Sequence, residues 1–155
     1  MTNFQRVSQW HAACGKIPGN PEHFSVAFGV DLEEWVEGMS CIELNLPEEA
    51  IDEVRLAMRR ISDLATLLKR GSVHARIADG RRVDFLDALC DKDVTGNALA
   101  YLAGFDKDGA DQAVLASNDA KLVDGKPVFV PGTQKIAKPE GWTAPNLTPF
   151  ITQGA

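Results

Sequence analysis

The sequence has few of the features that mark a disulfide-stabilised or membrane-spanning protein. Its 155 residues include only three cysteines, Cys14, Cys41 and Cys90, an odd number without CxxC spacing. This pattern favours free thiols in a reducing compartment over a disulfide framework or a zinc site. The N-terminus does not have the pattern of a signal peptide, and no apolar run is long enough for a membrane span. We therefore expect a cytoplasmic protein without a membrane partner.

Basic residues are also scarce. The chain has 16 lysines and arginines against 22 aspartates and glutamates, giving a formal net charge of −6, and it has no basic run. Because nucleic-acid backbones attract basic surfaces, this balance argues against a nucleic-acid partner. A small anion can still bind where metal ions supply the positive charge.

Helical periodicity of apolar residues extends over most of the chain. A composition of 45% hydrophobic and 25% charged residues suits a soluble globular domain with its own core. Apolar spacing, capping residues and glycine or proline boundaries predict five helices. We place them at residues 3–14, 21–45, 47–70, 82–103 and 109–120. The predicted fold class is all-α, with residues 1–121 as the helical domain.

The sequence changes character after residue 121. Asp124-Gly125 is a turn sequence between two short β-prone runs, and a proline-punctuated stretch follows. We expect residues 122–155 to form an extended tail that lies over the helices. The third predicted helix is strongly amphipathic and rich in leucine, so we assign it to packing within the monomer or across a subunit interface.

Two acidic patterns are candidates for chemistry. Glu34 and Glu37 are three residues apart in the second predicted helix, and Asp84 and Asp87 repeat this step in the fourth. Residues three apart share a helix face, where like charges repel unless a cation lies between them. Because Glu34 and Glu37 lie beside an apolar stripe, we expect them to be partly buried. Asp91, one turn after Asp87, is a further ligand or an acceptor that orients one.

Spacing alone leaves other interpretations open, including two solvated acidic faces without metal. Glu33 points about 100° away from Glu34 on an ideal helix. It could reach an extra metal ion or activate a water, or it could simply face solvent. A di-iron redox bundle usually carries Glu-x-x-His, and no histidine follows a candidate glutamate at that distance. A non-catalytic interaction module would explain the third helix but not two matched acidic pairs.

In this order, the elements resemble the MazG and phosphoribosyl-ATP pyrophosphohydrolase superfamily of all-α nucleotide pyrophosphohydrolases. Glu33-Glu34 and Glu37 match its Glu-Glu-x-x-Glu pattern, and Asp84 and Asp87 match its Glu-x-x-Asp pattern with Asp in place of the usual Glu. Other segments are similar to family elements in the same order. These segments are Gln9-Trp10-His11, Asp87-Ala-Leu-Cys-Asp91, Ser117-Asn118-Asp-Ala-Lys121 and Asp124-Gly-Lys-Pro127.

The resemblance implies a MazG-like helical bundle that assembles as a homodimer or homotetramer. It implies hydrolysis of a nucleoside triphosphate to a monophosphate and pyrophosphate, with two or three Mg²⁺ or Mn²⁺ ions. Phage members called MazZ are similar in size and tail and are associated with dGTP or dATP, so we expect a purine deoxynucleotide. Glu34, Glu37, Asp84 and Asp87 would hold the ions, which neutralise phosphate charge and lower the pKa of a bound water.

Eight further side chains are candidates for contact with the phosphates, base or sugar of the substrate. They are Trp10, His11, Asp91, Asn97, Asn118, Lys121, Lys135 and Lys138. The asparagine at 118 and the three lysines could contact phosphates. Trp10 and His11 could line a base pocket, and Asn97 could hydrogen-bond the base or sugar. A core tryptophan, solvated lysines and an ordinary polar helix residue are the competing explanations, and we favour function over solvation only for Asn118 and Lys121 among the phosphate candidates.

Overall fold

The computed structural model describes residues 1–131 and 136–151 of the chain, and these residues are predominantly helical. The prediction of an all-α chain is confirmed at this level. Five α-helices occur in the described part, namely α1 (Asn3–Ala13), α2 (Pro21–Ser40), α3 (Glu48–Lys69), α4 (Arg82–Leu102) and α5 (Lys107–Asp119). None of these helices is both long and apolar enough to cross a membrane.

Two short strands and a 3₁₀ helix complete the described elements. Strands β1 (Leu122–Val123) and β2 (Lys126–Pro127) pair in antiparallel fashion, and the 3₁₀ helix covers Thr148–Phe150. Asp124 and Gly125 have φ angles of 51° and 72°. Positive φ at both central residues is what a tight two-residue hairpin turn requires. The turn predicted from the Asp-Gly sequence is therefore confirmed.

Helix α2 ends at Ser40, five residues before the predicted end. The Ser40 hydroxyl donates a hydrogen bond of 2.6 Å to the carbonyl of Glu37, and Cys41 is the C-terminal cap. Pro47 disfavours a helical conformation for Leu46, so the chain leaves the helix before it reaches this proline. Helix α5 begins two residues earlier than predicted because the carboxylate of Asp106 caps its first turn.

Residues 17–78 form one of two compact units in the chain, which we call the α2–α3 unit. The two helices approach each other closely at Gly29, where an added Cβ would lie 2.8 Å from the backbone oxygen of Ala65. Ala65 and Leu68 are each only 1% exposed. The buried Ser25 hydroxyl accepts a hydrogen bond from Ala75 N–H at 2.8 Å, which ties the segment after α3 to α2.

The other compact unit, which we call the α5 unit, contains residues 1–16 and the chain from residue 79 onward. Helix α1 lies against α5, and the Arg6 guanidinium bridges the carboxylate of Asp119 at 2.7 Å and the side-chain oxygen of Gln112 at 2.9 Å. The tail contacts the start of α5, where Asp106 N–H donates to the carbonyl of Phe150 at 2.9 Å. Both ends of the described chain therefore lie on α5.

Because the nearest atom to an added Cβ at Gly29 is a backbone oxygen of α3, at 2.8 Å, we expect Gly29→Ala to destabilise the α2–α3 unit. Overpacking of this kind lowers the free energy of unfolding by about 1–3 kcal/mol. The matched control is Gly38→Ala in the same helix, because no atom lies within 4 Å of the added Cβ there. This control should raise the free energy of unfolding by about 0.5–1 kcal/mol, the helix propensity of alanine over glycine. Urea unfolding followed by circular dichroism measures both, and equal effects would contradict the close approach.

Candidate functional site

The four predicted metal ligands lie on two helices that belong to different units. Glu34 and Glu37 are on α2, and Asp84 and Asp87 are on α4. All four residues are exposed. The expectation that Glu34 and Glu37 are partly buried is therefore wrong.

The packing of α2 explains why Glu34 and Glu37 are exposed. The residues of α2 that are buried are the small ones, Ser25 and Gly29, and the next position in this four-residue row is Glu33. Glu33 is half-buried, and its carboxylate forms an ion pair with Lys69 at the end of α3. Glu33 therefore faces α3, and Glu34 points elsewhere.

The exposed carboxylates have the oxygen donors that Mg²⁺ and Mn²⁺ prefer. Within residues 1–131 and 136–151, no lysine or arginine forms an ion pair with Glu34, Glu37 or Asp87, whereas Asp84 is paired with Arg81 at 2.7 Å. The described residues contain no group of three or more acidic, histidine or cysteine side chains placed to hold a metal ion. Each pair thus supplies two carboxylates, and Mg²⁺ usually takes one or two carboxylates from a protein and completes its octahedral shell with water and substrate phosphate.

Two tryptophans converge on the last turn of α5. Trp10 of α1 donates its indole N–H to the carbonyl of Asn118 at 2.9 Å, and Trp142 of the tail donates to the carbonyl of Ser117 at 2.9 Å. Both carbonyls belong to the last turn of α5, where that of Asn118 also accepts the backbone N–H of Lys121 at 3.0 Å. The two indoles therefore fix the start of the chain and the tail to the same end of α5.

Two lysines lie beside the Trp142 ring. The ammonium of Lys121 is 5.4 Å from the ring centroid and that of Lys138 is 4.3 Å from it, within cation–π range. Lys121 also donates to the side-chain oxygen of Asn118 at 2.8 Å. Burial of the ammonium, and second the charge of Lys138, lower the pKa of Lys121. No carboxylate in the described part of the chain pairs with either lysine, so the pair can accept an anion.

A pocket of about 340 Å³ opens on the other side of Trp10 within the α5 unit. Its lining includes Arg6, Gln9 and Trp10 from α1, Asp119 from the end of α5 and Leu122 from β1. An aromatic side chain, a guanidinium, a carboxylate and an amide are thus among the groups that surround a small concave volume. This combination is typical of sites that hold a planar polar molecule.

The structure brings together four of the predicted substrate-binding residues. Trp10 is bonded to Asn118, Asn118 to Lys121, and Lys121 and Lys138 share the Trp142 ring. Within this set, Trp10 also lines the pocket, and Asn118 bonds to Lys121 beside the Trp142 ring. We call these residues and Trp142 the α5 cluster.

Three further candidates, Asp91, Asn97 and His11, are not members of the α5 cluster. Asp91 and Asn97 are exposed on α4. His11 contacts Trp10 edge-on at 5.2 Å, and burial together with Lys16 lowers the pKa of its ring. Lys135 lies outside the described residues.

Sequence reasoning missed Trp142 and the polar residues around the pocket, Arg6, Gln9 and Asp119. The signal for Trp142 was its position among the tail lysines, since it follows Lys138 by four residues. Comparisons of the chain with protein-family models, with curated proteins and with solved structures found no match.

The two lysines of the α5 cluster can be tested through their titration. Because Lys138 contributes to the lowered pKa of Lys121, Lys138→Gln should raise that pKa, although burial should keep it below the ordinary value for lysine. Lys126→Gln, on exposed β2, is the matched control and should leave it unchanged. NMR titration of the labelled lysine side chains measures the shift. An unchanged Lys121 pKa in Lys138→Gln would show that the two ammonium groups do not interact.

Proposed function

We propose that this protein is a metal-dependent nucleoside triphosphate pyrophosphohydrolase of the MazG-like type. It would convert a (d)NTP and water to a (d)NMP and pyrophosphate, with a purine deoxynucleotide, dGTP or dATP, preferred. The observation that carries the proposal is the α5 cluster. Three residues assigned to the substrate from the sequence, Trp10, Asn118 and Lys121, are joined there by hydrogen bonds, and a fourth, Lys138, lies with Lys121 beside the Trp142 ring. The two lysines of this cluster, which pair with no carboxylate among residues 1–131 and 136–151, supply positive charge that a triphosphate needs in an acidic protein.

The acidic pairs would hold the divalent ions. Glu34, Glu37, Asp84 and Asp87 suit Mg²⁺ or Mn²⁺, which when bound supply charge neutralisation of the phosphates and a water of lowered pKa. Each pair offers the one or two carboxylates that a Mg²⁺ ion usually takes from protein, and water and the substrate phosphates would complete its shell. In this proposal Glu33 is a positioning residue. Its ion pair with Lys69 fixes the orientation of α2 and thereby the direction in which Glu34 points.

The reaction needs no nucleophilic side chain. The oxygen of water attacks the α-phosphorus, the bond from this phosphorus to the bridging oxygen breaks, and pyrophosphate leaves with the electron pair of that bond. An exposed carboxylate of α2 or α4 takes the proton from the water. Lys121 and Lys138 are the residues we assign to the charge that develops on the leaving β- and γ-phosphates.

We further propose that the chain acts as a homodimer or homotetramer in the cytoplasm, with its three cysteines free. No residue of α4 is buried, and Val83, Leu99 and Leu102 of this helix are between 71% and 78% exposed. Leucines of α3 also remain exposed. Large apolar surfaces of this kind on a soluble chain mark association sites, and a symmetric self-interface is the commonest way to cover them.

Removal of a single carboxylate charge tests the metal assignment. Glu34→Gln and Asp87→Asn keep the side-chain shape, and each should lower turnover by about a hundredfold or more, since even indirect partners of a metal ligand are worth 10–100-fold. Glu53→Gln and Asp93→Asn, exposed acids on α3 and α4, are the matched controls and should retain activity. Product chromatography over a panel of common NTPs and dNTPs gives the rates. Near-normal turnover of both ligand variants at saturating magnesium would remove the assignment.

The apolar surfaces of α3 and α4 test assembly. We expect sedimentation velocity at micromolar concentration to give a dimer or tetramer. Leu99→Glu, a charge on the exposed side of α4, should shift the protein toward the monomer by like-charge repulsion and desolvation cost. Asn97→Glu, about 200° away around the same helix and also exposed, controls for added charge outside that face. A wild-type chain that stays a stable monomer would contradict the proposed assembly.

A further inference from the structure

The pocket beside Trp10 contains polar groups whose hydrogen-bonding capacity is not filled by the described residues. Asp119 binds Arg6 through one carboxylate oxygen only, because both Arg6 nitrogens donate to Oδ2, at 2.9 and 2.7 Å. Within residues 1–131 and 136–151, no donor reaches the other oxygen, Oδ1. The side-chain amide of Gln9 likewise has no partner in this part of the chain.

The same pocket has an aromatic wall of fixed orientation. The indole N–H of Trp10 is held by the carbonyl of Asn118, so the ring cannot rotate freely in its place. A planar ring stacked on this indole would have its edge available to the side chains of the rim, which include Asp119 and Gln9. Stacking of a base on an aromatic side chain contributes about 1–3 kcal/mol and does not depend on which base is bound.

The chemistry of the rim then decides which base edge fits. An ionised carboxylate oxygen only accepts hydrogen bonds, so Asp119 Oδ1 needs an N–H donor from the ligand. An exocyclic amino group supplies that donor, and a keto group at the same place would put two acceptors against each other. The ring N1–H that deoxyguanosine shares with deoxyinosine also donates, so discrimination between these two depends on the position of the amino group alone. Gln9 can donate to or accept from a neighbouring position, because its amide offers both.

We infer that this pocket binds the nucleobase of the substrate and that Asp119 selects bases with an exocyclic amino group. The inference rests on the proposed function for its nucleotide, and it adds the residue that determines specificity. A cavity of about 340 Å³ accommodates an aminopurine with room for its sugar. The α5 cluster links the pocket to the lysine pair through Asn118 and Lys121, so one nucleotide has a candidate partner at each end.

The experiment measures binding of nucleosides without phosphate and without metal. Deoxyadenosine, deoxyguanosine and deoxyinosine are titrated into the full chain with EDTA present, and the indole N–H signal of Trp10 is followed by NMR. Deoxyinosine lacks the amino group of the other two. We expect deoxyadenosine or deoxyguanosine to bind about 10- to 100-fold more tightly than deoxyinosine, the range for a hydrogen bond to a charged group. The Trp35 signal, from α2, should not respond.

Two variants separate base selection from packing. Asp119→Asn keeps an oxygen for Arg6 and turns an N–H donor toward the ligand, so the preference should fall to parity or reverse in favour of deoxyinosine. Asp111→Asn alters another α5 carboxylate, which contacts Asn3 and Lys107 and does not line the pocket, and it should preserve the preference. A circular dichroism spectrum matching that of the wild type is required for both.

The outcomes separate this inference from the proposed function. Equal affinity of the three nucleosides for the wild-type chain, no response of Trp10 at millimolar nucleoside, or an unchanged preference in Asp119→Asn would overturn the base pocket. Discrimination by binding together with failure to cleave any triphosphate would leave the pocket standing and remove the hydrolase. Cleavage of triphosphates without discrimination in binding would do the reverse.

Discussion

The two indole hydrogen bonds at the end of α5 are the constraint on which the α5 unit depends. Trp10 and Trp142 donate to neighbouring carbonyls in the last turn of this helix, those of Asn118 and Ser117. One tryptophan comes from the first helix and the other from the tail, so a single helix turn joins segments distant in sequence. Each bond also fixes an aromatic ring, and each ring then carries a candidate binding surface.

These surfaces differ in chemistry, and the difference suits the two ends of a nucleotide. The Trp142 ring lies beside two lysines without carboxylate partners among the described residues, a surface for anions. The Trp10 ring borders a pocket in which Asp119 Oδ1 has no donor within the described part of the chain, a surface for a polar ring edge. The chain has a net charge of −6, so phosphate binding requires added positive charge. Under the proposed function, the acidic helix faces would supply it as bound divalent ions and the lysine pair as ammonium groups.

In the α2–α3 unit, one small residue determines which side of α2 is buried. Close packing at Gly29 selects the row through Ser25 and Glu33 as the buried side of α2. Glu33 is then tied to Lys69, while Glu34 and Glu37 are left in solvent. Exposed acids that lack a cationic partner are available to a metal, and the same exposure is what a site completed by assembly would require.

The sequence predicted the helices well because periodicity, caps and glycine or proline boundaries are local signals. It failed where packing decides: the apolar stripe of α2 suggested that Glu34 would be partly buried, whereas small residues rather than large ones face α3. The ion pair of Arg6 and Asp119 could not be predicted either, because these residues are 113 positions apart and no local sequence signal indicates their contact. Asn118 and Lys121 could be singled out because they lie in one short motif, but Trp142 joins them only through tertiary structure.

Hydrolysis of dGTP in ¹⁸O-labelled water tests the proposed reaction most directly. Attack at the α-phosphorus places the label in dGMP and releases unlabelled pyrophosphate, and this is the result that we expect in the presence of magnesium. Label in orthophosphate, with dGDP as the other product, would place the attack at the γ-phosphorus and would contradict the assignment of this chain as a pyrophosphohydrolase.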